Sequence, residues 1–350
     1  MTAKFCGDFK VSYQETNKLL RRPLIKFWVS VLIILICLFP FIASPYLVSI
    51  SLFILISIIG ALGLNVLIGL TGQISIGHAA FMGIGAYTSV ILYTKLGFPF
   101  LVGIICSGLM AALLGMIVGI PSIRLKGFYL AIATLAFQFV MEFVLIVWRN
   151  LTGGADGLVT TPPSLFGFDI NTPIRYYFLC VAVAFLTTLF VLNIKRTNYG
   201  RIFMAIRDRD IAAEVLGINL FKYKLLSFAI SSFYAGIAGS LFAHYVLLIT
   251  PEQFNIWISV DYVAMIIIGG MGTAKGAILG AIFIGLLPEF IKALSVPLMH
   301  YFPHLVENLI FLREGIFGMI IIIFLIYEPE GIAKLWSRVR DFFKLWPYSY

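Results

Sequence analysis

The sequence predicts an all-α polytopic membrane protein of about ten transmembrane helices, and three observations carry that prediction. Of 350 residues, 61% are hydrophobic and only 12% charged, with a mean hydropathy of +1.02. A soluble domain with so few polar groups could not cover its own surface. Ten apolar segments recur along the chain, and a spanning helix needs about 20 such residues. Lys and Arg gather in alternate connections between those segments, as they do on the cytosolic side of membrane proteins.

The segments lie at 27–44, 46–68, 73–94, 100–120, 127–148, 176–194, 225–244, 257–270, 276–294 and 309–327. The first follows a basic stretch (Lys18, Arg21, Arg22, Lys26), as a secretory signal would. Pro45 directly after the only small-residue cleavage point, Ala43-Ser44, argues for a retained helix instead. The segment at 257–270 is short and is open to joining its neighbour as a broken helix. The membrane body then runs over 27–327, between a cytosolic N-terminal piece, 1–26, and a cytosolic tail, 328–350. Strict alternation from a cytosolic N-terminus also places 69–72, 121–126, 195–224 and 271–275 inside. Only Lys95, Arg149, Arg175, Lys292 and Arg313 fall elsewhere, leaving 20 of the 25 Lys and Arg residues in cytosolic pieces. Both termini are therefore expected in the cytosol.

The formal net charge of +9 is explained by this asymmetry and calls for no nucleic acid partner. Cys6, Cys37, Cys106 and Cys180 are widely spaced, with no CxxC pair, and read as small packing residues. The external loop at 150–175 carries Thr152-Gly-Gly-Ala-Asp-Gly157 and three prolines, the composition of a turn-rich connection. A weak internal echo appears at an offset of 200 residues. Ile68-Gly69-Leu70-Thr71-Gly72 matches Ile268-Gly269-Gly270-Met271-Gly272 at three of five positions, as a transporter repeat would.

Three motifs concentrate the chemistry. From Gly69 to Tyr87, Gly77, Ala80 and Gly83 recur at helical spacing and flatten one face for close helix approach. Gln73, Ser75 and His78 bring hydrogen-bonding groups to the start of the same segment, with Asn65 just before it. Polar groups at this depth face a bundle interior or a wet path. They mark either a translocation pathway or a tightly packed helix with a capped first turn. The second motif, Gly269 to Gly276, fails as a phosphate-binding loop because Ala274 and Gly276 occupy the required glycine and hydroxyl positions. Gly272, Gly276 and Gly280 instead repeat every four residues, as at a tight turn entering a close-packed helix.

The third motif is a charged island at 195–224 with seven basic and three acidic residues. Within it Asp208 and Asp210 precede Ile211-Ala212-Ala213-Glu214-Val215-Leu216, and Gly217 follows. Acidic residues suit a helix start and glycine its end, so a helix of about two turns is expected in water. Its apolar ridge fits protein docking better than a membrane surface, since it is short and sharply capped.

Four stretches together resemble the permeases of bacterial ATP-binding-cassette importers for branched-chain amino acids, of the LivM type. They are Gly63 to Tyr87, Gly127 to Leu135 with Thr152 to Gly157, Arg207 to Asn219, and Ile267 to Gly285. The resemblance implies a multi-pass permease subunit of the bacterial inner membrane, not itself an enzyme and without a cofactor. Its implied partners are a second homologous permease, two cytosolic ATPase subunits and an external solute-binding protein, with membrane lipid around it. It also implies that Arg207, Asp208, Asp210, Ala212, Ala213, Glu214 and Gly217 form the ATPase-coupling element. Here the order is Ala-Ala-Glu, where the general family pattern has Glu-Ala-Ala. Permeases of the same family for urea or other small solutes look similar. A carrier driven by ions is the rival class, with Glu142 and Asp261 as its candidate mid-membrane groups. No motif supports a membrane-embedded enzyme.

Overall fold

The computed structural model describes residues 23–123, 125, 127–165, 168–170, 172–299, 309–328 and 331–345. Each of the ten apolar segments contains a helix: α1 Pro23–Ile42, α2 Pro45–Leu64, α3 His78–Thr94, α4 Phe100–Gly119, α5 Phe128–Val147, α6 Pro173–Arg196, α9 Leu220–Val246, α10 Ile256–Gly269, α11 Ala274–Met299 and α12 Leu309–Tyr327. Between α6 and α9 lie two shorter helices, α7 Asn198–Asp208 and α8 Asp210–Val215, and the chain continues into α13, Ile332–Leu345. Among the described residues six helices are long and apolar enough to cross a membrane, the first spanning Pro45–Leu70.

Local chemistry sets the helix ends. Ser44 caps α2 by accepting from the Leu47 amide, with Pro45 at the first helical position, where its missing N–H is no loss. Asn219 and Asn255 cap α9 and α10 in the same way, through the amides of Lys222 and Ile258. The last turn of the α2 span widens into a π-helix over Asn65–Leu70. The next helix does not begin at once: 72–77 is irregular and α3 starts only at His78. Gln73 and Ser75 therefore precede the helix instead of lying on it.

The segment at 257–270 does not fuse with its neighbour. α10 and α11 are separate helices that fold back on each other as a hairpin through the turn at 270–273. The loop at 150–175 adds short strands to the all-α plan. Leu158–Val159 pairs antiparallel with Leu248–Ile249, and Ser164–Leu165 pairs with Phe168–Asp169.

α9 is the central helix, buried along most of its length against α2, α3 and α4. Glycine makes that approach possible. A Cβ on Gly236 would stand 2.5 Å from the Ser107 carbonyl oxygen of α4. In lipid such close van der Waals contact is what holds helices together. Cys180 is buried, while Cys37 is exposed and Cys106 half-buried, all three unbridged; Cys6 lies outside the described residues.

The connections sort to two ends of the bundle. At one end Lys95 donates to the carbonyls of Asn150 and Leu151, and Tyr93 donates to that of Pro162. At the other, the turns at 69–72 and 271–275 meet the 195–224 island. Single cysteines in a Cys-free background distinguish the ends: positions 156 and 253 are expected to label from outside, and positions 122 and 198 only after permeabilisation.

Candidate functional site

The island forms a surface element fixed to the bundle by a hub of backbone contacts. α7 buries Phe203 and Ile206 inward. At its C-terminal end Arg207 donates from Nη1 to the Gly69 carbonyl at 3.0 Å, while its Nε bonds Asp208 at the same distance. Lys195 donates to the Gly272 carbonyl at 2.8 Å, and the Gly272 amide donates to Asn65 Oδ1 at 2.8 Å. Gly69 and Gly272 belong to the two pentapeptides related by the 200-residue offset, and here they touch. A Cβ on Gly69 would collide with the Gly272 backbone. Gly272 also has φ +76°, a left-handed turn conformation that glycine adopts without strain.

α8 stands beyond this hub. Asp210 occupies its first turn, where a carboxylate meets the positive end of the helix dipole, and pairs with Lys224 at 3.7 Å. Ala213 turns inward and is buried, whereas Ala212 and Glu214 are exposed. The C-terminus is a Schellman motif. The Gly217 amide donates to Glu214, the Ile218 amide to Ala213, and Gly217 has φ +84°. Ile211, Val215 and Leu216 are then left 69%, 83% and 81% exposed. The helix is thus held by Ala213 and the Asp210–Lys224 pair while its apolar ridge stays exposed.

The four polar residues near α3 sit inside the bundle and are all buried. Gln73 donates to Ser227 Oγ on α9 at 2.7 Å and to Thr71 Oγ1 at 3.2 Å. Ser75 Oγ accepts from the Gly77 amide. The His78 ring stacks obliquely on Tyr262, with centroids 4.8 Å apart. Of the four, Gln73 reaches open space. It borders a cleft of about 320 Å³ shared with Arg207, Asp208, Asp210 and Lys224. Asn65 and His78 serve contacts between elements, and Ser75 bonds locally to the Gly77 amide.

Sequence reasoning missed the residues that make the α3 start tolerable. A helix leaves its first amides without intrahelical partners, and these lie deep in the bundle. Ser259 of α10 accepts from the Ala79 amide at 2.8 Å, and Gln138 of α5 from the Ala80 amide at 2.7 Å. Thr134 accepts from the Ile76 amide at 3.0 Å. A second missed cluster joins Ser89, Ser240 and His244, with Ser89 Oγ 3.0 Å from the imidazole Nε2. The only signal for either cluster was a lone polar residue in an otherwise apolar run.

The glycines differ in what they touch. Gly77 meets the Thr134 carbonyl, 2.6 Å from where a Cβ would stand. Gly276 and Gly280 meet the backbone carbonyls of Gly270 and Met265 across the α10–α11 hairpin, well under 3.0 Å from an added Cβ. The nearest neighbours of an added Cβ on Gly83 are side chains, Phe254 at 3.2 Å and Leu145 at 3.4 Å.

A helical membrane body that fixes an exposed apolar turn at one end has the form of the membrane subunit of a multi-component transporter. The chain belongs to the family described as branched-chain amino acid transport system permease component, whose profile matches residues 46–325. It is similar to the high-affinity branched-chain amino acid transport system permease protein LivM of Escherichia coli K12. The two are 32% identical over 334 residues, covering 89% of this chain and 75% of the relative. The probable branched-chain amino acid transport permease protein LivM of Methanocaldococcus jannaschii is 27% identical over 242 residues, covering 64% of this chain and 66% of its own. The ribose import permease protein RbsC of Haemophilus influenzae is 26% identical over 199 residues, covering 54% and 59%. No solved structure matches.

Proposed function

We propose that the chain is a permease subunit of an ATP-driven importer that carries leucine, isoleucine and valine across the bacterial cytoplasmic membrane. The observation that carries this reading is the capped helix α8. Its exposed ridge of Ile211, Val215 and Leu216 follows α7, whose Arg207 bonds the Gly69 turn, while Lys195 just before α7 bonds the Gly272 turn. In this reading the island faces the cytosol, both termini lie inside, and ten helices span the membrane. Two ATPase subunits seat α8 and its counterpart on a second permease, while an external solute-binding protein delivers the amino acid to the opposite face. ATP binding closes the ATPases and moves α8. Because Arg207 of α7 bonds the Gly69 carbonyl and Lys195, at the end of the preceding helix α6, bonds the Gly272 carbonyl, that motion reaches the inner ends of α2, α10 and α11 through direct contacts.

Gln73 is the pathway candidate best supported by geometry, since it borders the inner cleft. Gln73→Ala removes its bond to Ser227, but the Ser227 hydroxyl still donates to the Lys224 carbonyl at 2.7 Å. No buried donor is orphaned, and the stability cost is about 1 kcal/mol. The expected variant assembles, keeps its ATPase bound and imports more slowly, which uptake and co-purification together would read. Failure to fold would assign Gln73 a structural role alone.

Substrate class is tested by competition in cells carrying the complete transporter and no other route for leucine. Excess isoleucine or valine is expected to suppress labelled leucine uptake, and urea or ribose to leave it unchanged. Suppression by ribose or urea, with no effect of valine, would overturn the substrate assignment.

A further inference from the structure

One cavity takes no part in the glycine hub. Among the described residues, α2, α3, α9, α10 and the turn Pro251–Phe254 surround a space of about 140 Å³. Ile56, Met82, Phe254, Tyr262 and Met265 are its buried walls. The less buried Phe53, Phe242 and Ile258 stand at its rim, with Ser57 and Gln253 as polar neighbours. Asp261 also borders the space but already has a partner, so what the cavity offers a ligand is apolar surface.

The walls are held from behind. Tyr262 lies between α2 and α3: a Cβ on Gly60 would stand 2.6 Å from its ring, and His78 stacks on it with centroids 4.8 Å apart. Phe254 meets Phe242 edge-on at 5.8 Å and rests over Gly83. Depth follows from helix rise. In the proposed orientation α2 and α10 both begin at the outer face. Phe53 lies eight residues into α2 and Met265 nine into α10, about 12 and 14 Å down at about 1.5 Å per residue. With a hydrocarbon core of about 30 Å, the cavity descends from the outer side to about the midplane, where transporters hold their substrates.

Size and softness narrow the occupant. At about 30 Å³ for a water-sized group, the space takes about four or five such groups, which suits one aliphatic side chain and not a whole larger solute. Met82 and Met265 are unbranched and polarisable, so they adapt to side chains that differ in where they branch. We infer that this cavity is the side-chain pocket of the pathway. It receives the branched aliphatic side chain of the transported amino acid, while the charged groups stay at the rim beside Ser57 and Gln253. The pocket's role rests on the transport reading above and on its orientation.

Initial uptake rates in proteoliposomes holding the complete complex test it, with labelled leucine and labelled valine each presented on the same solute-binding protein. The readout is the leucine-to-valine ratio in each variant relative to wild type. The preference of the binding protein cancels in that comparison, and a merely damaged bundle slows both amino acids alike. Ile258→Phe narrows the rim and is expected to lower the ratio about tenfold, the lower end of what one methylene decides in an apolar pocket. Ile258→Ala widens it and should move the ratio the other way. Position 258 is only half-buried, so the alanine variant assembles and decides the matter even where the larger residue prevents assembly. A wild-type ratio in Ile258→Ala, or equal slowing of both amino acids by an assembled Ile258→Phe, would overturn the pocket while leaving the transport reading intact. A wild-type complex that imports neither amino acid would overturn both.

Discussion

Replacing Gly280 with leucine is expected to abolish recovery of folded protein, the largest effect of any single substitution considered. An added Cβ would stand far inside contact distance of the Met265 carbonyl oxygen and near the Gly269 Cα. Both obstacles are backbone, so no rotamer change relieves the clash. α10 and α11 would have to separate along the hairpin, which also carries the Gly272 bonds to Asn65 and Lys195. Overpacking a compact interior costs about 1–3 kcal/mol, and a displaced backbone puts this case at or above the upper value. Gly276→Leu belongs to the same class, against the Gly270 carbonyl. Gly83→Ala is the control: its neighbours are the side chains of Phe254 and Leu145, which can shift, and a cost near 1 kcal/mol is expected. Yield and monodispersity after solubilisation check the contrast. Wild-type yield of Gly280→Leu would show that the hairpin is looser than described.

The second large effect is functional and leaves the fold intact. Gly217→Val forces a β-branched residue to φ +84°, where an L-residue loses about 1–2 kcal/mol and a branched one more. Nothing lies within 4 Å of the added Cβ, so the cost is purely conformational and falls on the Schellman motif. The motif opens, and α8 loses the placement of Val215 and Leu216. Glu214→Lys reverses an exposed charge beside the same ridge without touching the bundle. Both variants are expected at normal abundance, with ATPase binding weakened and import lost. A loop that merely rested on anionic lipid would tolerate Glu214→Lys or gain from it. Wild-type ATPase co-purification and transport in both variants would remove the docking role of α8.

The parts of this fold legible in the sequence are those with a local cause. Apolar length located a helix in each of the ten apolar segments, six of them, among the described residues, long and apolar enough to cross a membrane. Asp210 in the first turn and Gly217 in the C-terminal cap bracketed α8 through local chemistry contained within eight residues. The parts not legible depend on partners remote in the chain. Gln138 and Ser259 complete the α3 start from 58 and 180 residues away, and His244 meets Ser89 across 155. Nothing near any of these residues signals its partner. The irregular stretch at 72–77 reads as helix because it opens the apolar segment at 73–94, but Gly72 turns at φ +70° and the helix starts only at His78. The basic tail gave no sign of its anchor, since Gly331 is informative only beside Gly270.

The central claim is that movement of α8 by ATP-driven subunits powers import through this chain. Proteoliposomes holding the complete complex, with the solute-binding protein outside and nucleotide trapped inside, test it directly through accumulation of labelled leucine. Accumulation against a gradient is predicted with ATP inside, and none with a non-hydrolysable analogue or with a proton or sodium gradient in its place. Uptake driven by an ion gradient in the absence of ATP and of the ATPase subunits would contradict the account.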